Sequence, residues 1–159
     1  MLETIKTFLD KHLGAAGHAV QGDDGRALQL AMATLLMEVA RADSGITEVE
    51  RRTVRDLLVK QFALSPELTH EISEAASYEA EQATSLYPMT HLVNAECSAA
   101  DKVQLIKMLW TVTCADGRVD DHEEHLVRKV ADLLHVPHRD FIRAKLQVVG
   151  EMPAADVQD

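Results

Sequence analysis

Ala42-Asp43-Ser44-Gly45-Ile46-Thr47-Glu48-Val49-Glu50 and Ala115-Asp116-Gly117-Arg118-Val119-Asp120-Asp121-His122-Glu123 are two copies of one segment. Each places an Asp at the end of an apolar helical run. A tight turn, a β-branched residue and a capping residue follow, with a Glu seven positions after the Asp. A repeat of this kind bears on the fold before any local reading does, because each unit buries its apolar face against its copy. The match extends outward. Met37-Glu38-Val39-Ala40 aligns with Trp110-Thr111-Val112-Thr113, Val54 with Val127, and Leu57 with Val130. After a one-residue slip, Phe62-Ala63-Leu64-Ser65 aligns with Leu134-His135-Val136-Pro137. The two units run over about 26–82 and 99–149.

Apolar residues recur at spacings of three and four throughout, which is the helical period, and no alternating run indicates a strand. The spacing predicts helices over about 2–13, 26–42, 48–62, from Pro66 onward, 87–97, 100–115, 121–135 and 139–149. Ser65-Pro66 is a start signal, with a Ser cap and Pro at the first helical position. Gly14–Gly25 reads as a Gly-rich connector and 150–159 as a frayed tail. The expected architecture is all-α: one helical-bundle domain of seven to eight helices with an internal pseudo-two-fold duplication. Residues 1–24 precede it as an amphipathic helix and connector. The domain itself covers 25–149.

The chain has 159 residues, 47% apolar but only 4% aromatic, so its core rests on Leu, Ala, Val and Met. A net charge of −10 lacks the basic footprint of a nucleic-acid binder and suits a cation or a basic partner. The longest apolar stretch, Leu28 to Ala42, is broken by Gln29, Thr34, Glu38 and Arg41, well short of the roughly 20 apolar residues of a spanning helix. The N-terminus carries an early acid and no apolar core of a signal peptide. Cys97 and Cys114 form no CxxC pair, which points to reduced thiols and a cytoplasmic location.

Local helix rules absorb much of the repeated motif. Thr47 with Glu50, and Asp120 with Glu123, read as capping boxes. Ile46 and Val119 stand where a hydrophobic staple belongs, and Gly117 can end the preceding helix. Asp43 and Asp116 are different. Each sits in the last turn of a helix, where the dipole disfavours an anion by roughly 0.3–1 kcal/mol. Either an Asx-type bond to the next amides or a bound cation would compensate. Counting from Asp116 excludes a standard EF-hand, because Arg118, Asp121 and Val127 stand where that loop needs a ligand, a Gly and a bidentate Glu. If the pseudo-two-fold brings the turns together, the carboxylates converge and require a divalent ion or a basic partner. The candidate metal ligands are Asp43, Glu50, Asp116, Asp120 and Glu123. The ion would be calcium, magnesium or zinc, oxygen donors favouring the first two.

Other patterns carry less. His122 and His125 are three apart, not the four of a zinc-protease helix. No Gly-rich phosphate loop, nucleophile elbow or Cys/His signature is present, so no enzymatic activity is expected. Arg51, Arg52, Arg55 and Lys60 give the 48–62 helix a basic face, set against an acidic row Glu67, Glu71, Glu74, Glu79 and Glu81 on the exposed side of the next helix.

Leu105-Ile106-Lys107-Met108-Leu109-Trp110 and the run from Ala115 through Leu134 resemble the tellurite-resistance protein B (TerB) family, and the resemblance covers about Leu28–Leu146. It implies an all-helical fold with an internal duplication, shared with the N-terminal domain of DnaJ-like membrane-anchored co-chaperones. It also implies a bacterial cytosolic protein tied to stress or tellurite resistance, with a metal-binding acidic cluster that falls on Asp116, Glu123, Asp43 and Glu50. The first copy departs from the family pattern, with Ser44 where Gly is expected. No His-Pro-Asp signature of a J-domain occurs. The expected function is a non-enzymatic TerB-like module that binds a divalent cation at the paired acidic turns and engages partner proteins. The alternative is a metal-free scaffold docking on a protein, a membrane-associated complex or a membrane surface through the 2–13 helix or the basic 48–62 face.

Overall fold

The computed structural model describes residues 20–42 and 45–151, with side-chain environments from residue 25 onward. The expected 2–13 helix, most of the connector, Asp43 and most of the tail lie outside the described residues. Seven helices and no strand occur among the described residues: α1 Val20–Ala40, α2 Glu48–Phe62, α3 Pro66–Gln82, α4 Tyr87–Glu96, α5 Ala99–Thr113, α6 Asp121–Leu133 and α7 His138–Gly150. Among the described residues no helix is long and apolar enough to cross a membrane.

The helix starts follow the local chemistry. Thr47 and Glu50 close a full capping box on α2, and Ser98 and Asp101 do so on α5. Ser65 accepts from the Leu68 amide ahead of α3, with Pro66 in the first turn. One boundary departs from expectation. α1 begins at Val20, so Gly22 and Gly25 lie inside a helix instead of a connector. Each glycine costs about 1 kcal/mol relative to Ala. The almost continuously buried stretch Leu30–Ala40 outweighs that cost.

The duplication organises the packing. α1 and α5 cross at the centre and are buried on nearly every side, α1 through Leu30 to Ala40 and α5 through Leu105 to Thr113. A single apolar stripe on α1, as the sequence suggests, is therefore an understatement. α3 packs on α1 as α7 packs on α5. Across the halves, α2 reaches α5 and α6 reaches α1. The predicted register holds at the ends of α2 and α6. Ala63 (φ 52°) and His135 (φ 60°) both turn left-handed, and Leu64 and Val136 then enter the core equally, each 8% exposed. Trp110 and Phe141 pack at 5.4 Å between ring centres where α5 meets α7. The acidic row on α3 is exposed except for Glu79, which is buried and not on the solvent side.

Candidate functional site

α2 and α6 begin at matched points of the repeat, and reciprocal packing turns their first turns toward each other. Glu50 is the third residue of α2 and Glu123 the third of α6. Both are buried, at 2% and 4% exposure. Their helices explain why: Glu50 lies on the stripe of Val54 and Leu58, and Glu123 on that of Val127 and Val130.

The two carboxyls are held differently. Glu50 keeps its capping box, with Oε1 accepting from the Thr47 amide at 2.9 Å and the Thr47 hydroxyl at 3.1 Å. Asp120 caps α6 alone, with Oδ1 accepting from the amides of His122 at 2.8 Å and Glu123 at 3.1 Å. The expected second capping box does not form. Glu123 turns inward, into hydrogen-bonding reach of Glu50, and among the described residues its Oε1 meets no N–H or O–H donor. Burial is the main force on its acidity, followed by the charge of Glu50, the hydrogen bond to Glu50, and the charges of Asp120 and Asp116. Together they push its pKa up to about 9. Near neutral pH, Glu123 thus keeps its proton and donates it to Glu50, so one proton sits between two carboxyls.

The turn before α6 completes the surroundings. Gly117 adopts φ 84°, and its amide donates to the Cys114 carbonyl at 3.0 Å. Asp116 is not in the last turn of α5, which ends at Thr113, but exposed in the turn beyond it, where it accepts a long 3.4 Å Asx-type bond from the Arg118 amide. Cys114 lies at the margin. Burial pushes its thiol up to about 11, opposed by Lys145 and reinforced by Asp116 and Glu123. A thiol so protonated is neither a ready nucleophile nor a ready ligand. His122 and His125 are both exposed.

Of the five candidate ligands, Glu50 and Glu123 meet, Asp116 and Asp120 lie near enough to act on Glu123, and Asp43 is outside the described residues. Among the described residues no group of three or more His, Cys, Asp and Glu side chains is arranged to hold a metal ion. Sequence reasoning assigned Glu123 to a cap and missed its burial, although the spacing Glu123–Val127–Val130 signalled it. It also missed Cys114 as a neighbour.

A duplicated all-helical domain in which the matched buried acids of its two copies meet is the class of protein that this geometry defines. The family model described as Tellurite resistance protein TerB matches residues 29–146, and the chain belongs to that family. No curated protein and no solved structure matches the chain.

Proposed function

We propose that the chain is a non-enzymatic, cytoplasmic module of bacterial stress or tellurite resistance that takes up a divalent cation at the paired acidic turns and thereby alters how it engages partner proteins. The observation that carries the reading is Glu123: a buried carboxyl facing a second buried carboxyl, with one oxygen that no donor among the described residues satisfies. A buried polar oxygen without a donor is costly, roughly 1–3 kcal/mol, and a cation is the ligand that suits two such acids better than a proton. Glu50 and Glu123 would hold the ion, with Asp116 and Asp120 at its edge. The bound cation would supply positive charge that replaces the shared proton. Oxygen donors suit calcium or magnesium before zinc. Free, unpaired Cys97 and Cys114 support a reducing compartment.

Metal-stripped protein tests the reading. Addition of calcium, magnesium or zinc should raise the melting temperature, and Glu123→Gln or Asp116→Ala should abolish the rise. No shift with any of the three ions sinks it. The competing reading is a metal-free docking scaffold for a protein or membrane surface. It is favoured by Arg51, Arg52 and Lys60, which form no ion pair among the described residues, whereas Arg55 pairs with Glu48 of its own helix at 3.4 Å.

A further inference from the structure

The outer faces of the two units differ where their inner faces match. The repeat sets Pro66 of α3 against His138 of α7, each the first residue of its helix. Buried positions then coincide, Thr69 with Phe141 and Ile72 with Ala144. Outer positions coincide as well, but their chemistry is inverted. Glu67 matches Arg139, Glu71 matches Arg143 and Glu74 matches Leu146, and all six are exposed. Glu67, Glu71, Glu74, Tyr78 and Glu81 follow at spacings of four and three, which makes one ridge about 21 Å long on α3. α3 carries no Lys or Arg. Glu67, Glu74 and Glu81 form no ion pair among the described residues. Like charges at these spacings repel, and Glu81 lies at the negative end of the helix dipole. Arg139, Arg143 and Leu146 make the matching ridge on α7. Arg139 has no ion-pair partner among the described residues, and Arg143 reaches Asp140 of its own helix at a long 3.9 Å. Tyr78 and Leu146 are 57% and 63% exposed, so each ridge also offers a large apolar side chain to a partner.

We infer that the acidic ridge of α3 docks on the basic ridge of α7 in a second copy of this chain. The duplication argues for a second copy over an unrelated basic partner. The two ridges stand in one register on matched helices, and each carries the charge that the other lacks. Within one molecule α3 packs on α1 and α2, and α7 packs on α5, with both ridges turned outward. Across two molecules the Glu67, Glu71 and Glu74 carboxylates meet the Arg139 and Arg143 guanidiniums. The Tyr78 ring offers a face to a guanidinium, and Leu146 adds apolar contact. Exposed charges of this kind select and orient a partner more than they tighten it, so the contact is weak and sensitive to salt. The two faces differ, so copies join head to tail and association continues beyond a pair. The inference goes beyond the cation reading and uses none of its residues.

The test uses the full chain, isotope-labelled, at about 0.1 M salt and protein concentrations up to about 1 mM. Sedimentation velocity should show growth with concentration, and the amides of 67–81 and 139–150 should shift together. Arg139→Glu with Arg143→Glu makes one variant, and Glu67→Arg with Glu74→Arg makes another. Each should weaken association about tenfold or more and leave the spectrum dispersed, since all four positions are exposed. Mixing the two variants should restore association, with shifts on α3 of the first and on α7 of the second. A monomer at every concentration overturns the proposal. So does association that both variants leave unchanged, or a mixture that fails to recover. Shifts on one ridge alone also overturn it, because they mark a face that pairs with itself or is covered by residues 1–19. Association that strengthens at about 1 M salt points to apolar contact instead and has the same consequence. Calcium-dependent melting is measured on dilute protein, so failure of either reading leaves the other standing.

Discussion

Glu50 and Glu123 occupy the same helical position in two copies of one motif, yet only Glu50 is engaged by its own cap. The difference lies in the cap residue. Thr47 offers a hydroxyl and an amide that hold Glu50 Oε1, whereas the Asp120 carboxylate caps α6 and repels a second carboxylate beside it. Glu123 therefore turns to Glu50 and keeps a proton. Its pKa rises from 4.5 to about 9 on folding, so the folded chain holds a proton that the unfolded chain has lost. That contribution is full below about pH 4.5 and is lost as pH rises toward about 9. Melting temperature measured across this window should fall with rising pH more steeply in the parent than in Glu123→Gln, whose neutral amide does not titrate. If the two curves are parallel, the proton is not on Glu123. Cation uptake would displace that proton, so calcium affinity should increase with pH and titration in weak buffer should release acid.

At the scale of the element, caps and left-handed termini explain where the helices begin and end. Thr47 serves both its own helix and the position of Glu50, so Thr47→Ala should cost about 1 kcal/mol in urea denaturation. It should also loosen the acidic pair, seen as a weaker response to cations. Ala63 ends α2 at φ 52°, a conformation that costs an L-residue roughly 1–2 kcal/mol. Ala63→Gly should therefore stabilise the protein, while Gly117→Ala, at φ 84°, should destabilise it. Opposite signs for the same pair of residue types would be read directly from the two denaturation midpoints. Equal signs would mean that packing and not backbone conformation controls these turns.

In the whole molecule, each three-helix unit covers the other's central helix, and neither central helix is covered without its copy. Folding should thus be a single transition. Trp110 is the one Trp in the chain and is fully buried on the central helix α5, against Phe141 of α7. Its fluorescence and the helical circular dichroism should report the same midpoint. A fragment spanning 99–151 should show little helix by circular dichroism, because it lacks the α1 surface that buries α5. A stable isolated fragment would contradict the reciprocal packing described above.

The duplication, the helical class and most helix starts were readable from residues in order. Helical period, caps and repeat spacing are local properties, and each recurs within a few residues of where it acts. The Thr47 box, the Ser65 cap and the matched turns at Ala63 and His135 belong to that kind. The extra turns of α1 before residue 26 and the burial of Glu79 were not readable, because they depend on neighbours distant in the chain. The same holds for the site. Sequence put five acids in two turns and could weigh each only against its own helix. Tertiary packing chose two of them, Glu50 and Glu123, by bringing matched helix starts together and removing water from both. Packing also placed α4 on α1, with no counterpart on α5 among the described residues. Electrostatic coupling and surface coverage are set by which elements meet, and only the folded chain decides that.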